Sequence, residues 1–356
     1  MPGREALYSS GMRLGLLLIA TMVVAQEPVF KSGVAIVEVP LVAKDSSDRA
    51  IADLRRSDLR VFDNGVEQAI LSFEKMSGAA GPTGQPAARL SILLIDALNV
   101  DWVSQNRARK AAIETLATLQ QGPDKIAIFA MGDKLKLLHD FSRDAASLRE
   151  AIENYPGERP LLGVDQTSSE KDFYAEHTAP PPTPGNGPMA RLAPKNPELS
   201  MNAGRGENRT LATLDALAEV ARLVKGAPVE KNLIWITAGF TPSGRMHEDI
   251  RRTMQTLADA KILLYPVDAR GVLSSSQALN QAMNLNELAG QTGGQVYMNS
   301  NQTASLIGAA IEDSRDGYVL TYTPTNGKEV SAHVIRLETS RKGVSLRYRP
   351  GYLSAQ

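Results

Sequence analysis

The middle of the chain contains short apolar runs that are separated by longer segments of mixed character. Continuous apolar runs, as opposed to alternating ones, are typical of strands that are buried on both faces of a parallel sheet. Such runs fall at residues 91–95, 126–130, 233–236, 262–267 and 295–298. The pattern therefore predicts five buried strands.

Helical periodicity lies between these predicted strands. Apolar residues recur every three or four positions at 108, 112, 116 and 119, and again at 214, 217, 221 and 224. Strands that alternate with helices favour a doubly wound sheet. The connection between residues 130 and 135 is too short for a helical crossover, so segment 135–139 is expected to run antiparallel. We predict an α/β fold with a doubly wound, mostly parallel sheet and one antiparallel edge strand.

Both flanks of this middle region contain short segments in which apolar and polar residues alternate, as they do in strands with one buried face. Residues 33–43 and 59–75 precede it, and residues 318–352 follow it. Asn64 and Gly65 separate two apolar segments, and Asn-Gly favours a type I′ hairpin because both residues adopt positive φ readily. Each flank offers about three strands, too few for a stable sheet of its own. We predict that residues 26–85 and 316–356 pack together as a small β-sandwich into which residues 88–315 are inserted.

The first 25 residues have the features of a secretory signal peptide. Arg13 precedes an uncharged apolar run at residues 14–24, and Ala25 is a small residue at the expected cleavage point. An uncleaved anchor is the less favoured alternative, since the run is shorter than the ~20 residues that span a bilayer. We expect an exported protein, periplasmic or extracellular, without a transmembrane span after cleavage. The starting residue is Met1 or Met12.

Residues 156–208 form a long polar segment that contains APPPTPGNGP and few large apolar side chains. A segment of this composition cannot bury enough surface to offset its ordering entropy. We predict a flexible loop above the carboxyl ends of the parallel strands, with or without a role in binding.

Composition excludes several classes of function. Lys+Arg and Asp+Glu both number 39, so no net field attracts nucleic acid or an anionic membrane, and 5% aromatic residues offer no stacking platform. The absence of cysteine excludes disulfides, thiolate metal sites and cysteine nucleophiles. The four histidines are scattered, and neither a GxSxG motif nor a phosphate-binding loop is present. We expect no nucleic-acid partner and no enzymatic activity.

The middle region resembles a von Willebrand factor A domain in two features. An aspartate, Asp96, ends its first predicted strand, and an antiparallel strand follows the second. The chain after its signal peptide also resembles the bacterial secreted von Willebrand A-related family. In that family an EDG-like turn precedes the A domain and an RPGY-like ending follows it. Here these positions read VFDNGVEQAILSFE and YRPGY, and KNLIWITAGF is similar to the fourth sheet strand. The resemblance implies a domain that binds a protein at the rim of its sheet.

The resemblance also implies a divalent cation, such as Mg²⁺, held by oxygen ligands. Asp96 matches the first aspartate of that site, and Thr210 matches its threonine. Its two serines are replaced by Leu98 and Val100, and its later aspartate by Ala238. Three of these five positions have no side-chain oxygen. We predict a degenerate site with no metal and no cofactor.

Other polar residues lie at the same rim. Asp101 precedes a predicted helix and is expected to cap its N-terminus. Asn99 is expected to hydrogen-bond loop backbone groups. For Asp96 we expect a carboxylate that accepts hydrogen bonds from the amides of its own loop.

These observations predict an exported, non-enzymatic protein that binds a protein partner or an envelope surface. The predicted contact residues lie at the rim of the sheet: Asp96, Asn99, Asp101, Thr210, Thr237 and Thr241. One alternative is a metal-dependent adhesion domain with rearranged ligands. The other is an envelope hydrolase whose site matches no known motif.

Overall fold

The structure is a computed structural model that describes residues 36–76, 89–118, 124–158, 197–227, 229–239, 242, 244–272, 276–313, 315, 317–325 and 332–353. At residues 197–205, 244 and 276–278 it describes the backbone alone. The predicted signal peptide, residues 1–25, and most of the predicted loop, residues 159–196, lie outside the described residues. Within the described residues no helix is long and apolar enough to cross a membrane.

The described residues form thirteen strands and six α-helices. The strands are β1 (Val37–Lys44), β2 (Leu59–Asp63), β3 (Val66–Gln68), β4 (Ile70–Lys75), β5 (Leu90–Asp96), β6 (Lys125–Met131), β7 (Leu135–Ser142), β8 (Lys231–Thr237), β9 (Ile262–Asp268), β10 (Tyr318–Tyr322), β11 (Ala332–Thr339), β12 (Ser345–Tyr348) and β13 (Gly351–Leu353). The helices are α1 (Trp102–Thr118), α2 (Ala145–Glu153), α3 (Pro197–Val224), α4 (His247–Asp259), α5 (Ser276–Thr292) and α6 (Thr303–Asp313).

Strands from the two flanks of the sequence pair with each other in two antiparallel sheets. Their strand orders are β12-β1-β10-β4 and β13-β11-β2-β3. Val39 of β1 lies opposite Leu320 of β10, and Val61 of β2 lies opposite Leu337 of β11. These four side chains belong to one buried apolar cluster, which joins the two sheets. Each flank contributes strands to both sheets and side chains to this cluster, so the cluster is complete only when the two flanks pair.

The hairpin that joins β2 and β3 is confirmed. Asn64 and Gly65 have φ values of 48° and 82°, and Asp63 pairs with Val66 across the turn. Positive φ at both central residues matches the twist of the two strands, which is why Asn-Gly suits this position.

The remaining five strands form one mixed sheet in the order β7-β6-β5-β8-β9. The pairs β6-β5, β5-β8 and β8-β9 are parallel, whereas β7 runs antiparallel to β6, as the short connection at Gly132 predicts. Apolar side chains of α1, α2 and α6 cover one face of this sheet, and those of α3, α4 and α5 cover the other. Burial on both faces explains the continuous apolar runs of these strands.

The predicted fold class, a doubly wound, mostly parallel sheet of von Willebrand A type inserted into a small β-sandwich, is wrong. Eight of the thirteen described strands belong to two antiparallel sheets, and the other five belong to a mixed sheet. The described chain is therefore a mixed α/β protein with several antiparallel sheets. Hydrophobic periodicity identified most strands, but it carries no information on which strand pairs with which. The prediction therefore assigned too few strands to antiparallel sheets.

Two element boundaries also differ from the predictions. Residues 295–298 do not form a strand, because Tyr297 makes only an isolated parallel bridge to Val267. Gly293 and Asn299 have positive φ, and they bound this short extended segment on both sides. Helix α3 begins at Pro197, so residues 197–208 of the predicted loop are helical.

Candidate functional site

Asp96 is the last residue of β5, the central strand of the five-stranded sheet, and it is fully buried. Its Oδ1 accepts hydrogen bonds from the backbone N–H groups of Leu98 and Asn99, both at 2.9 Å. Its Oδ2 accepts from Asn99 Nδ2 at 2.9 Å, from Trp235 Nε1 at 3.1 Å and from Thr237 Oγ1 at 2.6 Å. Five donors thus converge on one carboxylate.

Burial and hydrogen bonding have opposite effects on the charge state of Asp96. The pKa of the carboxyl group is raised above its ordinary value, because burial outweighs the hydrogen bonds from Thr237, Asn99 and Leu98, which lower it. Thr237 Oγ1 accepts a hydrogen bond from the N–H of Gly239 at 2.9 Å, so its own hydrogen is directed to Asp96. A protonated carboxyl group would place its hydrogen against a group that donates. We infer that the five donors solvate the ionised form at neutral pH.

The residues present do not fit a divalent cation. Hard cations need several oxygen ligands with free lone pairs. The lone pairs of Asp96 are occupied by protein donors, and buried apolar side chains, Leu98, Val100 and Ala238, stand at three of the positions that the resemblance assigned to ligands. In the part of the chain that the structure describes, no three His, Cys, Asp or Glu side chains are grouped closely enough to hold a metal.

Asn99 links the Asp96 loop to helix α3. Its Nδ2 also donates to Thr213 Oγ1 at 2.9 Å, and Thr213 Oγ1 donates to the carbonyl oxygen of Arg209 at 2.8 Å. Thr210, the threonine that the resemblance selected, is buried and donates to the carbonyl oxygen of Gly206 at 3.1 Å. Thr213, one turn after Thr210 on the helix, therefore contacts the loop, which sequence spacing alone did not predict.

Asp101 is the N-cap of α1, as predicted. Its Oδ1 accepts from the backbone N–H of Ser104 at 2.8 Å, and its Oδ2 accepts from Ser104 Oγ at 3.0 Å. Both oxygens are engaged by the first turn of the helix, so Asp101 fixes where α1 starts above the sheet.

The carboxyl end of β9 also carries a buried carboxylate whose partners lie inside the protein. Asp268 is buried and forms an ion pair with Arg270, whose Nη2 lies 2.6 Å from its Oδ2. The same guanidinium donates to the side-chain oxygen of Gln281 on α5. Both rim carboxylates therefore have internal partners: Arg270 neutralises Asp268, whereas uncharged donors surround Asp96.

The predicted contact residues occupy different environments. Asp96, Thr210 and Thr237 are buried, whereas Asn99 and Asp101 are partly exposed. Thr241 lies outside the described residues. The role of this set in binding stays a prediction, and any partner would touch the residues around Asp96 and not its carboxylate. Sequence reasoning did not identify Trp235, because an apolar strand residue gives no sign that its indole N–H reaches a neighbouring strand.

Large apolar side chains are exposed beside this rim. Trp102 and Val103 at the start of α1 are 47% and 67% exposed, and Val272, after β9, is 62% exposed. Arg107, one turn after Val103, donates to the carbonyl oxygens of Ala269 and Arg270. This connection places the start of α1 beside the loop that carries Val272.

No protein-family model matches the chain, and no curated protein matches it. Among solved structures it is similar to an aerotolerance-related membrane protein from Bacteroides fragilis, with 11% identity over 64% of this chain and 98% of that one and a TM-score of 0.37. A conserved hypothetical protein BatB from Bacteroides thetaiotaomicron gives 11% identity, the same coverages and a TM-score of 0.36. Proximal thread matrix protein 1 from the mussel byssus gives 10% identity and a TM-score of 0.35, and the match spans 64% of this chain and 48% of that chain. Similarities of this size carry no argument about function.

Proposed function

We propose that this chain is an exported, non-enzymatic protein that binds a protein partner at the carboxyl rim of its five-stranded sheet without a cation. The observation that carries the proposal is the environment of Asp96, whose five donors leave no lone pair for a metal, next to a rim with exposed apolar side chains. Membership of the secreted von Willebrand A-related family is part of this proposal, and the motifs VFDNGVEQAILSFE and YRPGY support it.

The proposed contact surface consists of Trp102, Val103 and Val272. Aromatic residues that are large and rigid contribute strongly to protein interfaces, because they bury much area at a small entropy cost. Exposed apolar groups that lie close together are more informative than single ones, since scattered exposed apolar residues are common on any protein. The bonds from Arg107 to the loop before Val272 hold these groups on one side of the rim.

The experiment is proximity labelling in the native envelope fraction with the full chain and a Trp102→Ala, Val103→Ser double variant. We expect the double variant to lose at least about tenfold of the labelling of specific partners, equivalent to the loss of one hot-spot residue. Leu223→Ser is the matched control, because Leu223 is an exposed apolar residue near the end of α3. Equal labelling by all three proteins would contradict the proposal.

A further inference from the structure

A cavity of about 400 Å³ lies between the two antiparallel sheets and the side of the five-stranded sheet that carries α4 and β9. Strands β1 and β13 supply one wall, and the end of α4 with the start of β9 supplies the other. Its volume is within the range of sites that bind small molecules. None of the residues predicted from the sequence to form a site lines it.

Arg349 places a guanidinium group in this cavity. Its Nη2 donates to the carbonyl oxygen of Glu38 over a long distance of 3.4 Å, and its Nε has no hydrogen-bond partner among the described residues. Gly293, with φ of +87°, lets the backbone approach closely, because a Cβ at this position would lie 3.1 Å from the backbone nitrogen of Arg349. The buried Nε is not accessible to a ligand, but the terminal Nη groups of this guanidinium keep most of their hydrogen-bonding capacity.

Glu230, the residue before β8, lines the same cavity. Within the described part of the chain its carboxylate forms neither a hydrogen bond nor an ion pair, although the charges of Lys261, Lys231 and Arg349 lower its pKa. Burial outweighs these charges and raises that pKa to about 7, because the carboxylate loses water without gaining a hydrogen-bond donor. A cationic group in the cavity would provide it.

The rest of the lining is mixed: Lys261 and Glu38 form an ion pair of 2.5 Å, Asp259 adds a carboxylate, and a group of aliphatic side chains suits the apolar body of a small ligand. Val37, Ile262, Leu263 and Leu353 contribute aliphatic surface. His333 lies behind this lining, since its side chain is fully buried and its Nδ1 lies 2.7 Å from Asp63 Oδ1.

We propose that this cavity binds a small zwitterion with an apolar body, an apolar α-amino acid or a dipeptide of such residues. The ligand carboxylate binds the guanidinium of Arg349, which can make two parallel hydrogen bonds to it, and the ligand ammonium group binds Glu230. Arg349 and Glu230 carry opposite charges, line the same cavity and do not contact each other. A ligand that carries both charges can therefore bind both side chains. The proposal is independent of the contact surface at the rim.

The test is a thermal unfolding titration of the full chain with L-leucine and with L-leucyl-L-leucine. Two analogues of leucine serve as matched probes: 4-methylpentanoate lacks the ammonium group, and isoamylamine lacks the carboxylate. We expect at least one zwitterion to raise the unfolding midpoint in a saturable manner, because a ligand that binds the native state stabilises it. Each analogue should require at least about tenfold higher concentration, since each loses one charge-assisted contact.

Variants identify the site. Arg349→Gln, Arg349→Lys and Glu230→Gln should each weaken the response at least about tenfold, with Arg349→Lys as the variant that keeps the charge but loses the paired donors. Arg222→Gln and Glu219→Gln, which alter an exposed ion pair on α3, are the controls and should respond as the wild type does. The proposal is overturned if neither zwitterion shifts the midpoint, if the analogues act as well as leucine, or if the three cavity variants respond like the controls. The comparison of leucine with its analogues uses only the wild-type chain, so it tests the proposal even where a variant fails to fold.

Discussion

Thr237 Oγ1 donates a hydrogen bond of 2.6 Å to Asp96 Oδ2 while it accepts one of 2.9 Å from the N–H of Gly239. The hydroxyl therefore connects the ends of β8 and β5 and orients the turn that follows β8. This relationship joins residues 141 positions apart in the sequence. It makes the rim a closed network, in which the loss of one member leaves other buried polar groups without partners.

The variant Thr237→Val tests this network. It keeps the shape of the side chain but removes one donor to a buried carboxylate and one acceptor for Gly239. We expect it to lower the free energy of unfolding by about 2–3 kcal/mol, measured by urea denaturation at neutral pH. Thr256→Val is the control, since the hydroxyl of Thr256 binds only the carbonyl oxygen of Arg252 within α4, and it should change stability by less than about 0.5 kcal/mol. Similar losses for both variants would show that the hydrogen bond from Thr237 to Asp96 stabilises the protein no more than the one from Thr256 does.

Divalent cations should leave the stability of the wild-type protein unchanged. A cation present at a hundredfold excess over its dissociation constant would add about 2.7 kcal/mol to the free energy of unfolding. We expect equal unfolding midpoints in EDTA and in millimolar Mg²⁺, Mn²⁺ or Ca²⁺, because protein donors occupy the lone pairs of Asp96. A rise in the midpoint that Asp96→Ala abolishes would instead favour the metal-dependent alternative.

Removal of the cap at Asp101 should destabilise the start of α1. Asp101→Ala loses the hydrogen bonds to the backbone and side chain of Ser104. We expect a loss of about 1 kcal/mol in the free energy of unfolding, whereas Asp101→Ser, which retains a capping oxygen, should recover much of it. Hydrogen exchange of the first turn of α1 gives a second measurement. Unchanged exchange in Asp101→Ala would argue against the cap.

The two antiparallel sheets also bury a carboxylate, that of Asp63 at the end of β2. Its Oδ2 accepts hydrogen bonds from the hydroxyl groups of Tyr322 and Tyr352, both at 2.9 Å. Burial, followed by the hydrogen bond to Asp63, raises the pKa of Tyr322, so this hydroxyl stays a donor. We expect Tyr322→Phe to cost about 1.5–3 kcal/mol in urea denaturation, because it removes a hydrogen bond to a buried charge.

A double variant tests whether the hydroxyl groups of Tyr322 and Tyr352 stabilise the protein independently. Tyr322→Phe combined with Tyr352→Phe should cost more than the sum of the single changes, since the first loss leaves Asp63 one remaining hydroxyl donor on Oδ2. Strict additivity would show that the two hydroxyl groups act independently.

Glu230 should make stability depend on pH. Burial is the largest influence on its pKa, and the charges of Lys261, Lys231 and Arg349 oppose it while Glu38 reinforces it. The folded-state pKa of about 7 lies above the ordinary value of 4.5, so the folded state binds more protons between these values. Stability contributed by this group is present below pH 4.5 and is lost as pH rises through about 7.

The matching measurement is the unfolding midpoint of wild type and Glu230→Gln between pH 4.5 and 8. The difference between the two proteins should grow in favour of Glu230→Gln as pH rises, because glutamine carries no charge to desolvate. Glu219→Gln provides the control at an exposed position on α3. A constant difference between wild type and Glu230→Gln across this range would contradict the expected titration.

Much of the local structure followed from the sequence. The continuous apolar runs predicted β5, β6, β8 and β9, since burial on both faces requires apolar residues at successive positions. The Asn64-Gly65 turn and the cap at Asp101 were also predicted correctly, because each depends on the conformational preferences of a few adjacent residues. The fold class was wrong, because it depends on pairings between distant strands that periodicity does not encode.

The sequence by itself determined where four strands of the five-stranded sheet lie, where the Asn64-Gly65 turn and the cap at Asp101 lie, and that three expected cation ligands lack oxygen. Only the tertiary structure decided which groups surround the Asp96 loop: Trp235, 139 residues from Asp96, donates to its carboxylate, and Thr213 contacts Asn99. It also decided that Arg349 and Glu230 share a cavity. The physical reason is the same in each case, because local preferences act over a few neighbouring residues, whereas burial and hydrogen bonding are satisfied by whichever distant groups the packed chain brings together.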